Sequence, residues 1–249
     1  MTDFPLVTVV AAALVVTLAY TVFGLTGFGA VVVGLPLLVF WLPIRFAVPM
    51  MAIFDVCASL LLGLRNRRDV DRRELLRLAP FAAAGMLLGV SALVLVPERW
   101  LMAVLGTFVA GYASWSLLSP NEVRPIAAPW AMPTGIVGGA FSALYGTGGP
   151  IYTIYLARRL PDPKRLRASI GTLIFFSAWA RFALFSGTGL LFQPSLLRLA
   201  AVLLPFAIAG YFIGSHLHGR LAPRHTARAV WTLLLASGVS LLWRAWTIA

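Results

Sequence analysis

Two glycine clusters interrupt apolar sequence in this chain, and both have the makings of an anion site. The first reads Gly24-Leu-Thr26-Gly27-Phe28-Gly29 and runs on to Gly34-Leu-Pro36; the second reads Leu144-Tyr145-Gly146-Thr147-Gly148-Gly149-Pro150. Glycine admits positive φ and close backbone approach. A helix that restarts after such a break presents unpaired N–H groups and the positive end of its dipole. It can therefore hold an anion without any charged side chain. Pro150 suits the first turn of a restarting helix, where a missing N–H is no loss. Thr26, Tyr145 and Thr147 add hydroxyls beside the breaks.

Two ionisable residues sit inside otherwise apolar runs, Asp55 near the middle of 44–64 and Arg181 within 168–187. Charges at membrane depth are costly and mark functional positions. Three roles are open at this point. Arg181 and Asp55 form a neutralising ion pair; or Arg181 touches an anion while Asp55 takes up a coupling proton; or Arg181 reaches for lipid headgroups. Ser59 follows Asp55 by four residues and Ser177 precedes Arg181 by four, so each shares its neighbour's helix face. Tyr152, Tyr155 and Trp179 either line the cavity or serve aromatic packing, and packing is the reading favoured for each. His216, His218 and His225 lack companion ligands and read as solvated loop residues, so no metal and no cofactor is expected.

Other chemistries fit poorly. Neither glycine cluster is followed by the Lys-Ser/Thr of a phosphate-cradling loop. An intramembrane serine protease needs a Gly-x-Ser-Gly nucleophile, and an aspartyl protease needs two membrane aspartates. The breaks carry no serine, and Asp55 is the only acidic residue well inside a span. With Cys57 as the single cysteine, an intrachain disulfide is excluded. No enzyme activity is expected.

The elements that must carry these residues are membrane helices. Of the 249 residues, 60% are hydrophobic and 11% charged, and mean hydropathy is +0.91. A crossing needs about 20 apolar residues, and the stretches 4–24, 44–64, 76–96, 98–118, 168–187, 195–216 and 226–246 meet it. The shorter stretches 27–42 and 128–157 follow or contain the breaks. Alternating polarity of the kind a β-barrel requires is absent. The net charge of +12 lies in short loops, notably 65–73, 158–167 and 220–228. That is the positive-inside pattern of cytoplasmic loops rather than a nucleic-acid surface. The N-terminal Met-Thr-Asp-Phe-Pro lacks the basic region of a cleaved signal.

The chain also repeats itself. Leu78-Ala-Pro80-Phe-Ala-Ala-Ala-Gly85-Met-Leu-Leu-Gly89 aligns without gaps on Leu203-Leu-Pro205-Phe-Ala-Ile-Ala-Gly210-Tyr-Phe-Ile-Gly214. Residues 1–120 and 126–249 therefore read as two transmembrane repeats forming one membrane domain. The paired glycines four apart have the form that lets helices approach closely. With loops 65–73 and 158–167 both cytoplasmic, the segment 128–157 must enter the membrane and return. The repeats then have opposite orientations, as in many secondary transporters; if each broken segment instead crosses once, the repeats are parallel and one basic loop faces outward. The expected fold is an all-α polytopic membrane protein of two inverted repeats. Each has a glycine-broken hairpin segment and about three to four full spans. The two helix starts are expected to meet near mid-membrane.

These residues resemble the TauE/SafE family of sulfite and organosulfonate exporters. The resemblance lies in Thr26-Gly-Phe-Gly29 continuing to Gly34-Leu-Pro36, in Pro80…Gly85…Gly89, in Tyr145-Gly-Thr-Gly-Gly-Pro150 and in Pro205…Gly210…Gly214. It covers essentially the whole chain, including the duplication. It implies secondary transport of a small anion such as sulfite, a sulfonate, a sulfoacetate-like compound or a related carboxylate.

The residues and the resemblance together give a transporter of the bacterial inner membrane working by alternating access. The expected anion site comprises Thr26, Gly27, Phe28, Gly29, Tyr145, Gly146, Thr147, Gly148, Gly149 and Arg181, with Asp55 as coupling or ion-pair residue. The alternatives are an anion channel and a non-transporting accessory factor. Expected partners are the anion, the lipid bilayer and a coupling proton or cation, with room for a homodimer and none for nucleic acid. Gly29→Val and Gly148→Val are expected to abolish binding while the protein still inserts.

Overall fold

A computed structural model of the chain describes residues 4–26, 29–63, 69–118, 125–217 and 223–247. These form ten α-helices: α1 (Leu6–Thr26), α2 (Ala30–Leu38), α3 (Ile44–Gly63), α4 (Arg72–Leu95), α5 (Glu98–Leu118), α6 (Ala131–Tyr145), α7 (Gly148–Arg159), α8 (Pro163–Gly187), α9 (Pro194–Leu217) and α10 (Pro223–Thr247). A single 3-10 turn, Ala128–Trp130, leads into α6, and no strand occurs among the described residues. Five helical stretches, Leu6–Leu25, α4, α5, α8 and α9, are long and apolar enough to cross a membrane. Helices α3 and α10 coincide with the other two expected spans. Large apolar side chains such as Leu6, Leu95, Leu118 and Trp246 stand at least 77% exposed, as a lipid-facing surface requires.

Contacts divide the chain into two units, each drawing on both sequence halves. One comprises Met1–Met51, Leu95–Pro120 and Leu191–Ala249, the other Ala52–Val94 and Asn121–Leu190.

In the first unit α1 packs on α9 and α5 on α10. Between lipid-immersed helices there is little hydrophobic driving force, so close fit must hold them. Small residues supply it. A Cβ on Gly210 or Gly214 would collide with the carbonyl of Thr17 or Thr21. Helix α2 lies along α1, with Gly34 facing Ala19 so closely that a Cβ would come within 2.9 Å of the Ala19 methyl. Phe4, at the entry to α1, meets Phe46, after the end of α2, with ring centroids 5.3 Å apart. Arg244 of α10 donates to the carbonyl of Val39 at the end of α2, where the last carbonyls of a helix lack intrahelical partners.

In the second unit the close glycine contacts join α4 and α6. Gly85 and Gly89 of α4 face Ile136 and Ala140 of α6, and Gly139 of α6 faces Ala82. The first copy of the duplicated segment thus packs on the helix before the second break, and the second copy packs on the helix before the first. Leu78, Ala82, Ala131, Tyr152, Tyr155, Leu156, Leu160 and Leu173 form a buried cluster joining α4, α6, α7 and α8.

At one end of this unit Glu74, 4% exposed, gathers three donors. It accepts from the Tyr155 hydroxyl at 2.7 Å, from Arg159 Nη2 at 2.8 Å and from Arg77 Nη1 at 2.7 Å. Arg159 also donates through Nη1 to the carbonyl of Ile126 at 3.0 Å. Beside it the N–H of Asp71 donates to Ser169 Oγ at 3.0 Å. The starts of α4 and α8, the approach to α6 and the end of α7 are therefore tied together.

Candidate functional site

Sequence alone expects the second glycine cluster to stop a helix and start another, and the local backbone explains how. Gly146 adopts φ 67° and ψ 12° at the end of α6, a left-handed conformation open to glycine and strained for most other residues. Two hydrogen bonds close the helix end there, the N–H of Gly146 donating to the Ser142 carbonyl at 2.8 Å and that of Thr147 to the Phe141 carbonyl at 3.2 Å. Thr147 then caps α7 without a side-chain hydrogen bond. Helix geometry leaves the N–H groups of Gly148 and Gly149 in the first turn without intrahelical acceptors. Pro150 follows in that turn and has no N–H to satisfy.

Tight packing holds the break. A Cβ on Gly148 would lie 2.6 Å from the Gly138 carbonyl and 2.8 Å from Ser142 Cβ, and one on Gly138 would strike the Tyr152 ring. This corrects one expectation from sequence. Gly148→Val would force α6 and α7 apart, so it is not a selective probe of binding. Gly29, at φ 95° and ψ 4° before α2, has nothing within 4 Å of its Cβ position. A side chain there has room, and only the backbone angle resists it.

Arg181 reaches the second break from α8. It is 2% exposed; Nη2 donates to Asp55 Oδ2 at 2.5 Å, and Nη1 to the Ser142 carbonyl at 3.0 Å. The ion pair is real, and it is also attached to the break. A cation at the C-terminal carbonyls of α6 is electrostatically well placed, and the carboxylate limits the penalty of burying it. Asp55 is the more open partner, with its side chain 14% exposed against 3% for Arg181.

Three buried side-chain atoms in this neighbourhood have no hydrogen-bond partner: Thr147 Oγ1, Tyr152 OH and Arg181 Nε. The Tyr152 hydroxyl approaches Ser177 but lies outside hydrogen-bonding geometry. Tyr145, fully buried, packs with its ring tilted 59° against Phe141 at a centroid distance of 5.5 Å.

The expected residues Tyr145, Gly146, Thr147, Gly148, Gly149, Arg181 and Asp55 all belong to the second unit. Thr26 ends α1 and Gly29 precedes α2 in the first unit, while Gly27 and Phe28 lie outside the described residues. Sequence reasoning missed two participants. The Ser142 carbonyl carries no sequence signal. Glu74 does carry one, because Asp71-Arg-Arg-Glu74 has the spacing of a helix capping box, and Asp71 Oδ1 accepts from the Glu74 N–H at 3.0 Å. Among the described residues no cluster of His, Cys, Asp and Glu suits a metal ion.

An all-helical chain with membrane-length apolar spans, a broken helix and a buried arginine tied to the break defines a polytopic membrane protein of the transporter class. The chain belongs to the TauE/SafE sulfite exporter family, matching the description "Sulfite exporter TauE/SafE" over residues 12–241. It is 29% identical over 197 residues to "Probable inner membrane transporter protein TsaS" of Comamonas testosteroni, covering 78% of this chain and 82% of that one. No solved structure matches the chain.

Proposed function

We propose that this protein is a secondary transporter of the bacterial inner membrane that moves a small anion by alternating access. The anion is sulfite, an organosulfonate or a related small carboxylate. The observation that carries this reading is the position of Arg181, bonded at once to Asp55 and to the last turn before the second break. In this reading the anion sits at the start of α7. The N–H groups of Gly148 and Gly149, the Thr147 hydroxyl and Arg181 donate to it, and the helix dipole adds to the attraction.

Asp55 and the anion compete for Arg181. Loss of Asp55 from the guanidinium favours its protonation, which gives a route to proton coupling. A membrane potential negative inside drives anions outward, so export needs little coupling and uptake needs a proton or cation.

The hairpin reading of the broken segments is supported by contacts at their mouths. Arg159, ending α7, is bonded to Ile126, before α6, and Phe4, before α1, meets Phe46 in the first turn of α3, which follows α2. Inverted repeats 1–120 and 126–249 are supported by the reciprocal packing of the two duplicated segments and by the charges of loops 65–73 and 158–167. The test is flux of sulfite, methanesulfonate and acetate into proteoliposomes holding the purified protein. Movement of at least one above empty liposomes is expected; no movement and no binding of any would refute the reading.

A further inference from the structure

Tyr152 lies one turn into α7 and is 1% exposed. Its ring packs on Gly138, and Cε2 would lie 3.0 Å from a Cβ at Gly148. A phenylalanine would fill that space equally well. The hydroxyl is therefore surplus to packing; it is buried with Ser177 as its polar neighbour, and no hydrogen bond of good geometry reaches it. A buried polar group left unmatched destabilises the fold, so its presence calls for an explanation beyond packing.

The other two unmatched atoms, Thr147 Oγ1 and Arg181 Nε, belong to residues that are linked to Tyr152 through Ser142 and Gly148. Arg181 is bonded to the Ser142 carbonyl, Gly148 abuts Ser142 Cβ, and Tyr152 abuts Gly148. Ser177 precedes Arg181 by four residues on α8, so the residue that Tyr152 approaches shares the guanidinium's helix face. An arginine Nε–H can only donate, and a hydroxyl can donate. The donor-only Arg181 Nε–H selects an acceptor, and two hydroxyls able to donate lie beside a helix N-terminus, a combination suited to an oxyanion.

We infer that Tyr152 is a ligand-contact residue whose hydroxyl donates to the transported oxyanion beside Thr147 and Arg181. This rests on the anion-transporter reading and adds to it a residue that aromatic packing alone conceals. Tyr152→Phe keeps the ring on Gly138 and removes only the unmatched oxygen. Thr147→Val removes another such hydroxyl and serves as the second variant.

The experiment is thermal melting of the purified full-length protein titrated with sulfite and with methanesulfonate. Without anion, Tyr152→Phe is expected to melt no lower than wild type. The anion concentration giving half the maximal shift should rise about tenfold, the equivalent of one net hydrogen bond. Thr147→Val should respond similarly. An unchanged titration, or a lower melting temperature without anion, would overturn the role of Tyr152 while leaving the transporter reading in place. A wild-type protein that responds to neither probe and shows no flux would overturn both.

Discussion

Arg181 holds the carbonyl of Ser142 at 3.0 Å, which places a buried cation against the last turn of α6, next to Gly146. The same guanidinium bonds Asp55, so a charge pair and a helix break act on each other through one side chain. Either feature alone has an ordinary structural explanation. On the proposed transport reading, their connection lets a bound anion and the Asp55 carboxylate compete for Arg181.

Breaking the pair from one side should destabilise the protein. Asp55→Asn leaves Arg181 buried without its counter-charge, a change that costs about 3–5 kcal/mol when a partner of a buried pair is lost. The double variant Asp55→Asn with Arg181→Met should recover most of that loss, because neither charge is then stranded. It should melt near wild type and bind no anion. Binding by the double variant at wild-type affinity would reduce the pair to a structural role.

Glu74 should behave as a fastener. Its carboxylate is shared by Tyr155, Arg159 and Arg77, and Arg159 and Arg77 remain 27% and 31% exposed. Glu74→Gln keeps the shape and removes the charge, which weakens charge-assisted bonds by about 2 kcal/mol in sum. A melting curve measures the loss, and salt should shrink it because the arginines are reached by solvent. An unchanged melting temperature would count against the network.

The duplicated glycines divide cleanly from exposed ones. Gly85→Val and Gly214→Val would drive a side chain into the carbonyls of Ile136 and Thr21, whereas Gly111 has nothing within 4 Å of its Cβ position. Folded yield after detergent extraction should collapse for the first two and hold for Gly111→Val. Equal yields for all three would remove the packing argument for the duplicated segments.

Sidedness can be read with single cysteines in a Cys57→Ala background. Asp69→Cys and Pro161→Cys lie at exposed positions in basic loops. An impermeant maleimide should label both only from the cytoplasmic face. Labelling from opposite faces would contradict the hairpin reading of 128–157.

The helices were legible in sequence because apolar runs of membrane length leave little else to form. The second break was legible for a physical reason too, since Gly146 must take a φ of 67° that an ordinary residue resists. Asp55 and Arg181 announced themselves by being charged at depth. Helix starts were misjudged where capping was overlooked. Helix α8 begins at Pro163, with Asp162 accepting from the Lys164 N–H, several residues before its apolar run. The Glu74 cluster was hidden because its partners Tyr155 and Arg159 lie 81 and 85 residues away in the chain. The unmatched hydroxyl of Tyr152 was hidden because residue type does not say whether a buried tyrosine finds a partner.

The central claim is that a small anion binds at the second break through Arg181 and is carried across. Counterflow of radiolabelled sulfite in proteoliposomes tests it most directly, comparing wild type with the Asp55→Asn, Arg181→Met double variant. The account predicts exchange stimulated by unlabelled sulfite inside for wild type, and none for a double variant that still melts normally. Exchange by the double variant at the wild-type rate would contradict it.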